Sequence, residues 1–280
     1  MTLTIRTMDR AAIAETVDWA AAEGWNPGLA DAECFTAADP EGFMGGWIGD
    51  RMVAAISVVT YGAGYAHLGF YIVVPDARGH GYGLTLWNHA LAHAGDRTVG
   101  LDGVVAQQDN YHRSGFALAY RNVRYGGVPD RSLLSVAPGL EVREVGSLTP
   151  GISVYDRFPA SRETFLHCWL GAPGHVARAA YRDDELAGYG VIRPCRTGWK
   201  IGPLFADDRA AATAILRNLI DVTAPGDEMF LDAPEPNDTA AGLATDLGLT
   251  PVFETARMYR GTPPDEDIGR VFGITSFELG

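Results

Sequence analysis

The 280-residue sequence is poor in lysine, in cysteine and in long apolar runs, and each shortage narrows the possibilities. Lys200 is the only lysine and lies outside any Gly-Lys-Ser/Thr motif, which excludes a Walker-type nucleotide loop. The scattered thiols of Cys34, Cys168 and Cys195 lack metal-ligand spacing, so we expect a reduced, cytoplasmic protein with incidental cysteines. No apolar run approaches the ~20 residues that span a bilayer, and the first residues do not resemble a secretion leader. We therefore expect no membrane partner.

Charge and size set further limits. Asp and Glu outnumber Lys and Arg by 35 to 22, giving a formal net charge of −13. Such a surface repels a phosphate backbone, so nucleic acid is excluded as a partner. Apolar residues make up 47% of the chain and charged residues 20%, which is typical of a soluble globular protein long enough for two domains.

The sequence divides into two similar halves. Turn residues cluster over 128–139, and we place one domain at 1–130 and a second at 138–280. A strand, a polar turn and a second strand are predicted over 47–58, and the same pattern recurs over 180–191. Duplication of one fold explains these parallels with the fewest assumptions.

The most informative stretch is 69–94. A β-branched and aromatic run predicts a buried strand, Pro75 ends it, and Leu84 and Trp87 begin a helical repeat. Between strand and helix stand three alternate glycines: Gly79, Gly81 and Gly83. This order directs backbone N–H groups and a helix dipole at one point, where a diphosphate is the natural ligand and Arg78 adds a charged contact.

The glycine pattern discriminates between phosphate sites. A dinucleotide fingerprint beginning at Gly79 would need a third glycine where Leu84 stands, so that interpretation is poor. A turn with incidental glycines is the other alternative. The run Val-x-Pro-x-x-Arg-Gly-x-Gly-x-Gly over 73–83 closely resembles the acetyl-CoA-binding signature of the GNAT superfamily of N-acetyltransferases.

The resemblance implies an α+β fold, with two GNAT-like domains that each hold a mixed, mostly antiparallel sheet flanked by helices. It implies that backbone amides pair with the pantetheine arm of acetyl-CoA at Ile72, Val73 and Val74. It implies that the diphosphate is held by residues Arg78, Gly79, His80, Gly81, Tyr82 and Gly83. An amide near Val73 or Val74 would also receive the thioester oxygen.

A second feature of that superfamily is a tyrosine four residues before Gly-Phe, and Tyr111 stands in this relation to Gly115. The resemblance implies that its phenol protonates the departing thiolate, a proton transfer that the chemistry requires. Val104 stands where the superfamily often has asparagine, and a buried core tyrosine is the alternative. In the second half Ala244 takes the tyrosine position and the matching loop lacks the glycine series, so we expect that half to be degenerate, structural or acceptor-shaping.

The acceptor side is less defined. Glu23, Trp25 and Asn26 lie where GNAT-like folds place an acceptor loop, and a packed turn is the alternative. For the general base His67 is favoured by its ordinary pKa, with Asp102 and Glu23 as alternatives.

These observations predict an enzyme that transfers an acetyl group from acetyl-CoA to a primary amine of a small molecule or peptide by direct attack, without a metal. The chain is expected to be a monomer with an internal pseudo-dimer, or a homodimer. A non-catalytic acyl-CoA sensor or interaction protein on the same fold is the alternative function.

Overall fold

The computed structural model describes residues 2–134 and 137–280; residues 135–136, in the linker placed between the halves, lie outside the described residues. The strands are β1 (Thr4–Thr7), β2 (Phe43–Ile48), β3 (Arg51–Tyr61), β4 (Tyr65–Val73), β5 (Thr98–Val104), β6 (Ala117–Gly127), β7 (Glu141–Val145), β8 (Val176–Arg182), β9 (Glu185–Pro194), β10 (Trp199–Ala206), β11 (Met229–Pro234), β12 (Thr250–Arg260) and β13 (Val271–Gly273). The helices are α1 (Arg10–Ala22), α2 (Asp31–Ala38), α3 (Tyr82–Ala94), α4 (Gln108–Arg113), α5 (Ile152–Tyr155), α6 (Glu163–Gly171), α7 (Arg209–Ile220) and α8 (Asp238–Asp246).

All of these strands belong to one mixed sheet, in the order β1-β2-β3-β4-β5-β12-β6-β11-β10-β9-β8-β7, with β13 on β10. Its named strand pairs are antiparallel apart from β4 with β5 and β10 with β11. The two halves of the sequence repeat the same element order, and the predicted α+β class is confirmed. The predicted boundaries at 130 and 138 stay a prediction.

The halves exchange their last strands. β12, from the second half, lies between β5 and β6 of the first half, while β6 pairs on its other edge with β11 of the second. Each half therefore completes the sheet of the other, which the sequence analysis did not foresee. The consequence is that side chains from β12 reach the first half's site.

The helices bury apolar faces on both sides of this sheet. α3 covers the first half with Leu86, Trp87 and Ala90, and α7 covers the second with an alanine- and leucine-rich face. A third core lies between the halves, where α1 and α2 meet α6. No helix among the described residues is long and apolar enough to cross a bilayer.

The third core contains a disulfide between Cys34 on α2 and Cys168 on α6. The expectation that all cysteines are incidental thiols is therefore wrong for this pair, because the two helices pack side by side although 134 positions separate the cysteines in sequence. Sequence spacing carries no signal for such a contact. Cys195 is a buried free thiol, and the cytoplasmic location stays a prediction.

Candidate active site

A cavity of about 420 Å³ opens where β4 and β5 separate. Their parallel pairing runs from Tyr65 with Thr98 to Leu68 with Leu101, and beyond it β4 has an open edge. The cavity is lined by residues of both halves: Glu23, Trp25, Leu68, Gly69, Phe70, Tyr71, Ile72, Val73, Arg78, Leu101, Asp102, Gly103, Val104, Gln107, Tyr111, Phe253, Thr255, Phe277 and Glu278.

Of the three backbone amides predicted to bind the pantetheine arm, one faces the cavity from the open edge of β4. The Val74 N–H donates to the Val53 carbonyl at 3.0 Å, so it is committed to β3 and is unable to bind a pantetheine arm. Since alternate residues of a strand direct their backbone groups to the same edge, the Ile72 amide also faces β3, with which it pairs. The roles predicted for the Ile72 and Val74 amides are therefore corrected, and Val73 is the residue whose backbone faces the cavity.

The register of β4 against β3 shifts just before this point. Ala55 pairs with Ile72 and Ser57 pairs with Gly69, so two residues of β4 stand opposite one of β3. Phe70, inside this bulge, has a left-handed backbone with φ +49°, although its side chain is buried in the core. A non-glycine residue in this conformation is uncommon and often marks a functional site.

The glycine loop has the geometry of an anion site. Gly79 and Gly81 have φ of +80° and +77°, which favours glycine at both positions, and Gly81 is the N-cap of α3. No side chain among the described residues caps this helix, so its first-turn amides, including that of Tyr82, lack intrahelical acceptors. The strand, loop and helix predicted over 69–94 are confirmed. The binding role of these residues stays a prediction.

Two side chains of the loop make specific contacts. Arg78 folds back over the cavity, donating from Nε to the Val73 carbonyl at 2.8 Å and from its guanidinium to Glu23 at 2.8 Å. His80 bonds the Arg78 carbonyl through Nδ1 at 2.9 Å, and its ring stacks on Tyr82. Arg78 thus joins the glycine loop to the segment predicted to receive the acceptor.

Tyr111 lies at the cavity on the short helix α4. Its ring stacks on Trp87 with 5.7 Å between centroids and lies against Gly103, where a Cβ would come within 2.1 Å of the ring. Burial raises the pKa of the Tyr111 phenol, which therefore carries its proton at neutral pH. Such a group is suited to protonating a leaving thiolate.

A second cavity, of about 620 Å³, lies between α3 and α4. It shares with the first cavity the residues Tyr71, Gln107 and Tyr111. Asn110 and Arg113 of α4 line the second cavity, and the sequence analysis did not single them out for this role. Tyr111 thus lines both cavities.

The corresponding positions of the second half are filled by the chain itself. Asp208 caps α7, its carboxylate accepting from the Ala211 N–H at 2.9 Å, where α3 has Gly81. The space between β10 and β11 is occupied by β13, which pairs with β10 at Leu204 and Phe205. Ala244, at the tyrosine position, is fully buried. A carboxylate and a strand therefore occupy the sites that a diphosphate and a pantetheine arm would need.

Two of the three predicted acceptor residues reach the first cavity. Glu23 and Trp25 line it, but Asn26 does not: its amide group bonds the backbone of Thr197 in both directions, each at 2.9 Å. Lys200 reinforces this contact by donating from Nζ to the Asn26 carbonyl at 2.8 Å. Direct acceptor binding by Asn26 is thus corrected to a positioning role, in which the second half holds the acceptor segment.

His67, the favoured base, is not brought to the cavity. Its side chain is fully buried, and burial, with the nearby Arg257 guanidinium, holds its pKa well below the ordinary value. The ring is enclosed by Tyr65, whose hydroxyl lies 3.2 Å from Nδ1, and by Asp102, 3.7 Å from Nε2. The prediction is corrected because successive side chains of a strand point to opposite faces of the sheet, and the His67 side chain points to a face that the core covers.

Asp102 lines the cavity, but its carboxylate is already hydrogen-bonded to other side chains of the protein. Its carboxylate accepts from Arg257 at 2.6 Å and 2.9 Å and from the Asn122 amide at 2.6 Å. The side chain is fully buried, and burial raises its pKa while Arg257 opposes that rise. Asp102 therefore serves as the partner of Arg257 on the exchanged strand β12.

Four lining residues come from the second half and escaped the sequence analysis: Phe253, Thr255, Phe277 and Glu278. They reach the cavity through the exchange of β12 and through the segment 271–280, which passes from β10 to β4. No local motif signals such a path, because it depends on pairing between positions far apart in sequence, such as Thr255 with Val104, which are 151 positions apart.

Comparison with known proteins agrees with this geometry. A model of the acetyltransferase (GNAT) family matches residues 10–117, and a model of an acetyltransferase (GNAT) domain matches residues 153–273. Holothin acyltransferase of Pseudoalteromonas sp. (strain SANK 73390) is 33% identical over 264 residues, which span 94% of this chain and 90% of that protein. The fold and site are those of an acyltransferase. The chain belongs to the GNAT family, with a GNAT domain in each half.

Solved structures show the same fold over nearly the whole chain. A putative acetyltransferase from Pyrococcus horikoshii has a TM-score of 0.82 at 23% identity, covering 99% of this chain and 96% of its own. A tandem GNAT protein from the clavulanic acid biosynthesis pathway has a TM-score of 0.64 at 18% identity, covering 94% and 100%. The tandem arrangement is thus shared with other GNAT proteins.

Proposed function

We propose that this acyltransferase moves an acetyl group from acetyl-CoA to a primary amine by direct attack, using one coenzyme site in the first half. The observation that carries the proposal is the position of Tyr111: this buried tyrosine lines both cavities, and the first of them is also lined by Val73 at the open edge of β4. The thioester of the donor and the acceptor amine would meet in the first cavity, and the second cavity continues the path of the donor.

The residues present fit an acyl-CoA donor. The pantetheine arm would lie along the open edge at Val73, and the diphosphate would meet the uncapped first turn of α3 with the glycine loop. Arg78, now bonded to Glu23, is within reach of that anion. Asn110 and Arg113 line the continuation of the path between α3 and α4. The filled groove and capped helix of the second half support a single donor site per chain.

The chemistry follows from these positions. The amine nitrogen attacks the thioester carbon, a C–N bond forms, and the oxyanion is stabilised by the Val73 N–H. The C–S bond then breaks, the thiolate takes the proton of Tyr111, and the proton that the nitrogen loses passes through solvent and restores the phenol. The products are an amide and free coenzyme A.

The acceptor is proposed to be a compact amine with an apolar body. Trp25, Phe253 and Phe277 give the cavity aromatic walls, which suit a planar body better than a long flexible cation. Holothin is the acceptor in the name of the Pseudoalteromonas relative, so it is the first compound to test.

The test is a screen of holothin and a panel of aromatic, aliphatic and peptide amines. Each amine is incubated with acetyl-CoA and, separately, with longer acyl-CoA thioesters. Release of the coenzyme A thiol and the mass of the product are measured. We expect amine-dependent release of coenzyme A with an acetylated product. Faster transfer of a longer acyl group would show that the corresponding acyl-CoA, rather than acetyl-CoA, is the preferred donor. Tight acetyl-CoA binding without transfer to any amine would instead establish the acyl-CoA sensor.

A further inference from the structure

Three carboxylates line the first cavity, and they differ in their partners. Glu23 is paired with Arg78 at 2.8 Å, and Asp102 with Arg257 at 2.6 Å. Glu278 has no ion pair within the described parts of the chain, and its Oε1 is buried without a hydrogen-bond partner there. The residue is only 2% exposed. An orphaned carboxylate oxygen in such a place destabilises the fold, so a role in the site is the economical reason for its presence.

The backbone fixes Glu278 against β4 at the wall of the cavity. Its carbonyl lies so near Gly69 that a Cβ there would come within 2.1 Å of the oxygen. Gly69 directly precedes the bulge at Phe70, and Phe70 lies three residues before Val73, the last residue of β4. The neighbouring Phe277 is held under the Arg124 guanidinium, 4.6 Å from the ring centroid. Glu278 is therefore anchored beside β4, the strand that carries the proposed oxyanion donor.

The charges around Glu278 suit a proton acceptor. Burial raises the pKa of its carboxyl above the ordinary value, and Asp31 adds to the rise. Lys200 and Arg124 act in the opposite direction, and the buried Arg193 guanidinium also interacts with this carboxyl. Each of these cations is bonded elsewhere: Lys200 to backbone carbonyls, Arg124 to Asp232 and Arg193 to Asp31. A carboxylate that binds protons more readily than an ordinary glutamate, and that has no salt-bridge partner among the described residues, is suited to accept a proton from an attacking amine.

We propose that Glu278, contributed by the second half, is the base of the acyl transfer and the group that binds the acceptor's amino nitrogen. The proposal rests on the proposed acyl transfer. As the C–N bond forms, the nitrogen loses one proton to the Glu278 carboxylate, the C–S bond breaks, and Tyr111 gives its proton to sulfur. Solvent then carries the proton from Glu278 and restores the Tyr111 phenol. The segment 271–280 therefore has two effects: β13 fills the second half's groove, and Glu278 completes the first half's site.

The test compares Glu278→Gln with the wild type, using the acceptor that gives the fastest acetyl transfer in the screen. We expect kcat to fall by roughly 10²–10⁴-fold, while the acetyl-CoA dissociation constant stays within about twofold. The variant should melt at the same temperature or higher, because glutamine removes an unpartnered buried charge. In the wild type, kcat falls as the pH is lowered through the pKa of Glu278, since only the carboxylate accepts a proton, and the variant loses this limb.

Two further variants make the result decisive. Glu278→Asp keeps a carboxylate and should retain the acidic limb with a reduced rate, which covers the case in which the glutamine variant does not fold. Glu266→Gln removes a partly buried carboxyl that bonds Tyr120 and Tyr259 outside the cavity, and its kcat per folded molecule should not change. Wild-type kcat in Glu278→Gln, or equal losses of kcat, coenzyme affinity and melting temperature, would overturn the assignment. Absence of transfer by the wild type would instead refute the proposed function.

Discussion

At the residue scale, the first half and the second half differ most at one pair of positions, Tyr111 and Ala244. Both lie two residues before the end of a short helix that precedes a Gly-aromatic or Gly-Leu pair, and both are buried. Only Tyr111 has a cavity on each side. Its burial therefore serves two purposes, since Trp87 stacks on the ring while the phenol keeps a raised pKa and its proton.

The phenol's role is tested by Tyr111→Phe, which keeps the ring and its stacking on Trp87. Loss of the proton donor should lower kcat by roughly 10²–10⁴-fold, with little change in the acetyl-CoA dissociation constant from calorimetry. Tyr181→Phe, in the second half and outside both cavities, is the matched control and should turn over normally. Normal turnover by Tyr111→Phe would make the tyrosine a packing residue.

At the element scale, local motifs were predicted well and long-range pairing was not. The strand, glycine loop and helix over 69–94 follow from β-branched residues, Pro75 and alternate glycines, all of which act within a few residues. The exchange of β6 and β12 depends instead on which strand edges meet after the halves fold, and neither strand's own residues report it.

The same distinction explains the candidate site. The sequence predicted Val73, Tyr111 and Trp25 as cavity residues because they lie in or near recognisable segments. It did not predict Glu278 or Phe253, which belong to the exchanged strand or the segment beside it. The prediction of His67 as the base was wrong for a different reason. It rested on the ordinary pKa of histidine, and burial lowers the pKa of His67 well below that value.

The acceptor segment, residues 23–26 of the first half, is held in place by the second half. Asn26 has φ +53° and bonds Thr197 through both amide atoms. In Asn26→Gly the backbone keeps its left-handed conformation and only this contact is lost. Since such hydrogen bonds contribute about 1 kcal/mol, the acceptor KM should rise about 5-fold. The acetyl-CoA dissociation constant should not change.

Steady-state kinetics against both substrates separates these quantities. Asn218→Ala removes a side-chain amide that bonds only its own helix α7, so it serves as a control that should leave both constants unchanged. Equal changes in acceptor KM and acetyl-CoA affinity in Asn26→Gly would show that the segment supports the whole fold rather than the acceptor site.

At the scale of the whole molecule, the two similar halves have different roles in forming the site. The first half keeps an open edge on β4 and an uncapped helix α3, while the second half closes both equivalents with β13 and Asp208. The second half then supplies β12 and Glu278 to the first half's cavity. The site is therefore a product of the tandem arrangement, and neither half contains all of its walls.

This difference in roles predicts one coenzyme site per chain. Calorimetric titration with acetyl-CoA should give a stoichiometry of one, and excess ligand should raise the melting temperature, because only the folded chain binds it. Gly81→Val should abolish both effects: the position has φ +77°, where a β-branched residue is strongly disfavoured, and the new side chain would stand over the amides that receive the diphosphate.

The matched control is Gly226→Val, which introduces the same residue at φ +92° in a second-half loop that is likewise open to solvent. If strain alone were responsible, both variants would lose coenzyme binding; if the glycine loop is the site, only Gly81→Val does. A stoichiometry of two would require acetyl-CoA to displace β13 from β10 and the Asp208 carboxylate from α7. That displacement would break the β10–β13 pairing and expose Phe272, now 1% exposed, so a second site should be accompanied by loss of stability rather than by a gain.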